Sequence, residues 1–282
     1  MIATLRALKR RLQAGWEAGR AFAAGAASPL FVYQMGKVGS STVYHAVRAA
    51  LPGVPVYHVH FLSAQLAEHR ATHERSGMRP VPYHIYLGEA LRGQLLRHAG
   101  RAVRIISLVR DPIAFELSNL FQNPRLVAGG ANPAGVPADR DGLRRTLERR
   151  LAAGGGHGYV DGWFDREMKT VFGIDVYAEP FDSAAGWQHY RHGRAELLLI
   201  RLEDLDRQGP AAIADFLELS GPLALATAND RSRQANGGTY AELGRAPGLD
   251  PAVVEGVYAG RYARHFYAPA ERQAFAARWI AS

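Results

Sequence analysis

Cysteine is absent from all 282 residues, so the chain has no disulfide, no thiolate metal ligand and no cysteine nucleophile. That fits a cytoplasmic compartment, where thiols stay reduced. No run of five basic residues occurs, and neither zinc-finger spacing nor an aromatic–basic RNA motif is found. Nucleic acid is therefore not an expected partner, despite a formal charge of +8 and a pI of about 9.9. The same charge suits an acidic polysaccharide, an anionic membrane or a phosphorylated cofactor, and charge alone does not choose among them. Residues 1–31 contain no long uncharged apolar run, which argues against a spanning helix and against a signal peptide. There are no internal repeats. With 48% apolar and 21% charged residues, disorder and fibrous architecture are poor readings.

What is present reads in two parts. Residues 1–29 form a basic amphipathic helix in which Leu5, Leu8, Leu12 and Trp16 recur at helical spacing, with Arg6, Lys9, Arg10 and Arg11 between them. Such a stripe is expected to pack on its own domain; its alternative is peripheral contact with an anionic membrane, on the inner face. Residues 30–282 read as one α/β domain. A strand at 30–35 leads through a turn to a helix at 41–50, and a second strand at 54–62 leads to a helical polar stretch at 63–75. A helix at 87–100 precedes a β-branched central strand at 102–110, and Asp111-Pro112 is favourable chemistry for starting the next helix. Residues 123–158, rich in Gly, Pro and Asn around a short arginine-rich helix, read as a loop-rich insertion. A helix at 160–173, a hairpin at 186–205 whose second strand (196–202) joins the sheet, and a mostly helical remainder complete the chain. Strands alternating with helices predict a three-layer sandwich with a central, mainly parallel sheet. Ligands in such sheets sit beyond the carboxyl ends of the strands.

Four features carry chemistry. The stretch "FVYQMGKVGSSTVYHAV" runs from strand to helix through Gly36-Lys37-Val38-Gly39-Ser40-Ser41-Thr42. Backbone N–H groups at that helix start make a nest for an anion, Lys37 adds a point charge, and Ser40, Ser41 and Thr42 add donors. A plain glycine-permitted turn would not need the lysine. The nucleotide-triphosphate version places lysine after the last glycine, beside a hydroxyl for magnesium; here the order is reversed. In "SLVRDPIAFELSNLFQN", Arg110 ends a strand and Ser118 lies about two helical turns beyond it. The pair suits a second phosphate, although Arg110 pairing with a carboxylate explains the residue equally well. In "VYHVHFLS", His58 and His60 point to one side of a strand. No metal-ligand spacing accompanies them, and they read as a general base with its neighbour or as satisfied core residues. "GWFDREMKTVFGIDVYAEPFD" mixes aromatic and charged groups as carbohydrate sites do, and as amphipathic helices do.

Lysine followed by Gly-Ser-Ser-Thr after the first strand, with Arg-Asp-Pro and a serine eight positions past the arginine, resembles the sulfotransferases. These share a P-loop-type α/β fold and take the sulfuryl group from 3′-phosphoadenosine 5′-phosphosulfate. The resemblance implies that Lys37, Gly39, Ser40, Ser41 and Thr42 hold the 5′ end of this donor and that Arg110 and Ser118 hold its 3′ phosphate, with no metal required. "QMGKVGSSTV", "HVHFLS", "WFDREMKTVFGIDVY" and "ARHFY" are more closely similar to a bacterial capsular polysaccharide synthesis branch, over most of the chain from about residue 31 to 279. The His-x-His strand also resembles the heparan sulfate 2-O-sulfotransferases, which implies His60 as base and His58 as its helper; Glu167 and Asp165 are substitute bases. Gly36 stands where many members have proline. The implied acceptor is a hydroxyl on a polysaccharide or glycolipid. Two rivals stay open: a nucleoside-triphosphate kinase or hydrolase, and a non-catalytic glycan- or membrane-binding relative.

Overall fold

The computed structural model of the protein describes residues 2–75, 81–122, 140–152, 157–225 and 248–281. Helix α1 (Ile2–Ala21) precedes β1 (Leu30–Tyr33), α2 (Ser40–Ala50), β2 (Val56–Val59), α3 (Leu66–Arg75), α4 (Tyr83–Arg97), β3 (Val103–Val109) and α5 (Pro112–Gln122). Then come α6 (Arg140–Ala152) and α7, which starts as His157–Phe164, widens into a π-turn at Asp165–Lys169 and closes with Thr170–Phe172. The hairpin β4 (Trp187–His192) and β5 (Ala195–Arg201) is followed by α8 (Leu205–Phe216), α9 (Pro251–Tyr258), α10 (Arg261–Phe266) and α11 (Pro269–Ile280).

The expected α/β sandwich with a mainly parallel sheet is what forms. The five strands lie in the order β2-β1-β3-β5-β4. β1 runs parallel to β2 (Val32 opposite His58) and to β3 (Phe31 opposite Ile105), β3 runs parallel to β5, and only β4 is antiparallel. β3 and β5 are apolar and buried along almost their whole length, as central parallel strands must be. The edge strands are shorter or wetter: in β2 only Val59 is buried, and in β4 only Tyr190. β2 stops at Val59 rather than at 62 because its one neighbour, β1, leaves the sheet after Tyr33.

Alternation in β1 assigns the two layers. Phe31 and Tyr33 point to one face, where Tyr33 meets Trp163 at 5.1 Å and Phe172 at 6.0 Å on α7. His58, beside Val32, points to the other and stacks on Tyr44 of α2 at 5.3 Å. A second apolar cluster lies past the carboxyl end of β3, where Ile113 and Leu117 of α5 meet Leu143, Leu147 and Leu151 of α6, Val254 of α9 and Trp279 of α11. Thus the 140–152 part of the loop-rich stretch is a helix with three buried leucines at four-residue spacing; residues 123–139 and 153–156 lie outside the described residues.

α1 differs from the expectation in which face it uses. It docks through Ala14, Ala18 and Ala21, all fully buried, and is tied down by Arg10 Nη1 donating to Val81 O at 2.7 Å and Tyr57 Oη donating to Glu17 O at 2.9 Å. The alanines let the helix approach α4 closely, and at about 100° per residue they lie opposite the Leu5–Leu8–Leu12–Trp16 stripe, which stays exposed. Among the described residues, no helix is long and apolar enough to cross a membrane.

Candidate active site

The strand order reverses between β1 and β3: β1 leads to β2 on one side, and the chain then crosses back to β3 on the other. A crevice opens beyond the carboxyl ends at such a point, and the residues immediately after β1 and β3 are those singled out by sequence. After β1 the chain turns through Lys37 (φ 67°) and Gly39 (φ 78°), both left-handed, into α2. A side chain at Gly39 would be strained in that conformation and would place Cβ 2.5 Å from Leu202 Cδ1, so the loop needs glycine there. Gly36 has no such constraint, with open space around it. Among the described residues no side chain caps α2 at Gly39, and of its first-turn N–H groups that of Thr42 donates back to Gly39 O at 3.2 Å. Ser40 turns inward instead, its Oγ 2.8 Å from His58 Nε2.

Across the crevice, the Arg110 guanidinium reaches back to the loop and donates from Nη1 to Lys37 O at 3.1 Å. Among the described residues it pairs with no carboxylate, which disposes of the ordinary explanation for a strand-end arginine. Its backbone is pinned by Tyr262, whose Oη accepts from Arg110 N and donates to Arg110 O, each at 2.9 Å. Asp111 caps α5 through Ile113 N (2.9 Å) and also accepts from Tyr258 Oη (2.9 Å) and Trp279 Nε1 (2.8 Å). Its N–H donates to Glu203 Oε1 at 2.8 Å, and burial raises the Glu203 carboxyl above its ordinary range. The C-terminal helices therefore hold Arg110 in place, a function no motif near Arg110 announces. Ser118 is buried farther along α5.

His58 on β2 and His60 just past its end belong to a cluster of imidazoles that α3 and α4 complete, rather than to a pair. His60 meets His58 edge-to-face at 5.0 Å and His84 of α4 at 5.7 Å, His84 lies 6.4 Å from His73, and His69 stacks on Phe61 at 3.6 Å. Burial is the main reason that His58 is lowered to about 3 and His69 and His84 to about 4, with neighbouring histidines adding to it. Burial likewise lowers His60, helped by the Lys37 charge and opposed by its bond to Gln34. All four are neutral near pH 7. His60 Nδ1 lies 3.0 Å from Gln34 O; a carbonyl only accepts, so Nδ1 carries the proton and Nε2 presents a lone pair. The Gln34 side chain is fully buried, and its amide finds no partner among the described residues. Among the described residues, no three His, Asp or Glu side chains converge as metal ligands. The 69/73 pair, four apart on a helix, was the readable hint of a larger cluster.

Neither substitute base faces the loop. Glu167 is buried under the sheet, where Oε2 accepts from Leu62 N (2.9 Å), Ser63 N (2.8 Å) and Tyr33 Oη, and Oε1 accepts from Ser63 Oγ (2.7 Å). It ties α7 to the end of β1 and to the turn after β2. The π-turn accompanies it, as π-bulges often accompany positions with a fixed task. Asp165 pairs with Arg261 at 2.7 Å on the surface. A groove of about 790 Å³ runs along the β2 edge past Trp16, Arg20, Tyr44, Arg48 and Tyr57 to His58 and His84, without touching Lys37 or Arg110.

Set against known proteins, the family described as "NKWYS: Putative capsular polysaccharide synthesis protein" matches residues 157–268, less than half of the chain. No curated protein and no solved structure matches it. The matched stretch runs from α7 to the end of α10 and carries Glu167, Glu203 and Tyr262, the residues that brace the site, while the Lys37 loop, the histidines and Arg110 lie outside it. Over residues 157–268 the chain is similar to proteins of capsular polysaccharide synthesis.

Proposed function

We propose that the protein is a sulfotransferase, moving a sulfuryl group from 3′-phosphoadenosine 5′-phosphosulfate to a hydroxyl of a polysaccharide or glycolipid. One observation carries this reading: Arg110, with no carboxylate partner among the described residues, folds back over the Lys37 carbonyl beside an uncapped helix start. Two cationic side chains and a row of N–H groups at one crevice fit a ligand with two anionic ends. The buried, unpartnered Gln34 amide at the root of the loop is a further polar group suited to such a ligand. In this reading Lys37, Gly39, Ser41 and Thr42 take the 5′ end, and Arg110 and Ser118 take the 3′ phosphate.

The chemistry then falls to three side chains. His60 Nε2 removes the acceptor's hydroxyl proton as that oxygen bonds to sulfur and the bond from sulfur to the phosphate oxygen breaks. Lys37 stabilises the charge growing on the departing oxygen, an electrostatic contribution of about 3 kcal/mol in comparable sites. His58, held by Ser40, keeps the neighbouring imidazole oriented. This also gives the lysine's place in the loop a reason: what must be neutralised is the bridging oxygen rather than a magnesium-bound phosphate. The similarity to capsular polysaccharide synthesis proteins favours a glycan acceptor, and an arginine- and aromatic-lined groove ending at His58 and His84 suits an acidic one.

Calorimetric titration with 3′-phosphoadenosine 5′-phosphate, with and without magnesium and beside ATP, tests the donor. The expected result is tight, magnesium-independent binding that ATP does not match. Arg110→Ala should weaken that nucleotide far more than its 3′-dephospho form. Magnesium-dependent binding of ATP alone would replace this reading with a kinase or hydrolase, and donor binding without turnover on any glycan would leave a non-catalytic relative.

A further inference from the structure

α1 is satisfied on one face and bare on the other. Among the described residues, four of the five exposed large apolar side chains are Leu5 (60% exposed), Leu8 (54%), Leu12 (66%) and Trp16 (62%), all on one stripe. The stripe spans about 17 Å along the helix at 1.5 Å per residue. Arg6, Lys9 and Arg11 flank it and are themselves exposed, and no acidic residue precedes Glu17. Trp16 closes the stripe with the Arg20 guanidinium 4.8 Å above its ring. An apolar stripe between basic flanks, ending in a tryptophan, has the composition of a helix that lies in the plane of a membrane interface.

We propose that this face of α1 docks the protein on an anionic lipid bilayer, independently of the sulfuryl-transfer reading. The docked face is already spoken for by Ala14, Ala18 and Ala21, so the stripe is free to face lipid without unfolding anything. Charge selects lipid over a second copy of the chain. Pairing two such stripes would bring Arg6, Lys9 and Arg11 against their counterparts, with no carboxylate in the first 16 residues to offset them. An anionic leaflet offsets all of them. Docking would also place the mouth of the groove beside Trp16 at the lipid surface, where a lipid-borne acceptor would meet it.

The test is co-sedimentation of the full chain with vesicles of phosphatidylcholine, alone or mixed with phosphatidylglycerol, at low and high salt. Binding is expected only to the mixed vesicles and should fall as salt screens the attraction. Arg6→Glu with Lys9→Glu should weaken it about a hundredfold, and Leu8→Ser with Leu12→Ser about tenfold. These side chains are exposed, so thermal unfolding of both variants should match the parent. A blue shift of tryptophan emission on vesicle binding should vanish in Trp16→Phe, since Trp163 and Trp279 are buried and the half-buried Trp187 lies on β4, at the sheet edge opposite β2. Absence of binding to the mixed vesicles, or binding that both double variants retain, overturns the proposal. A concentration-dependent dimer abolished by Leu12→Ser would assign the stripe to a second copy instead.

Discussion

Replacing Glu167 by Gln separates a carboxylate that reacts from one that holds the site together. Four donors converge on it: the N–H groups of Leu62 and Ser63 and the hydroxyls of Tyr33 and Ser63. Gln keeps the shape and one acceptor. With its oxygen serving the three donors now on Oε2, its amide can donate to Ser63 Oγ, but the Ser63 O–H and the second amide N–H then lose an acceptor at this site. What disappears is the ionic share of three bonds, each about twice as strong with a charged acceptor as with a neutral one. At about 1 kcal/mol per bond, with about 1 more for the displaced Ser63 hydroxyl and less the relief of no longer burying a charge, the net loss is about 3 kcal/mol. Glu167→Ala orphans all four donors and should cost about 4–6 kcal/mol, enough to threaten folding. Urea denaturation of parent and Gln variant, followed by tryptophan emission, measures the first figure; turnover of the folded protein measures the second consequence. The Gln variant is expected to be less stable yet to retain turnover within about tenfold, because Glu167 acts by position and not by proton transfer. A Gln variant as stable as the parent with turnover down by about a thousandfold would refute this reasoning and make Glu167 the base.

Four imidazoles held neutral by burial make stability pH-dependent. The folded values of His58 (about 3), His69 and His84 (about 4) and the lowered His60 all lie beneath the free value of 6.5. The unfolded chain therefore binds more protons below pH 6.5: stability is full above that pH and falls as pH drops towards 4. Discounted for partial exposure, the loss between pH 7 and 5 should be about 2–4 kcal/mol in urea titrations, and His69→Phe should flatten the slope. A pH-independent midpoint over that range would contradict it. Gly39→Ala should cost about 2–3 kcal/mol from the left-handed backbone and the Leu202 contact together. Adding Leu202→Ala should relieve only the contact, as a double-mutant cycle in thermal unfolding would show. Lys37→Ala should lower kcat by about a hundredfold or more while changing affinity for 3′-phosphoadenosine 5′-phosphate far less, as calorimetry beside a transfer assay would reveal.

Much of the architecture was legible because it rests on local rules. The β-branched run at 102–110 marked a buried central strand, the apolar second strand of the hairpin at 196–202 marked another sheet member, Asp111-Pro112 marked a helix start, and glycines around Lys37 marked a turn that only a permissive backbone makes. These depend on periodicity and backbone chemistry within a few residues. The nearness of His58 and His60 was legible too, their rings meeting at 5.0 Å, although β2 ends at Val59 and His60 lies just past the strand on which alternation was expected to align them.

What stayed hidden depends on contacts between residues far apart in the chain. Glu167 looked like an active-site carboxylate until Tyr33, Leu62 and Ser63, more than a hundred positions away, supplied its donors. Arg110 looked equally like an ion-pair partner until the fold placed Lys37 O beside it and no described carboxylate within reach. His84 joined the histidines only because α4 packs back against the end of β2. For α1 the sequence determined that an apolar stripe would form; the tertiary structure decided that the opposite face would be the buried one. Alanine permits the close helix–helix approach that leucine prevents, and only the shape of α4 could choose between them.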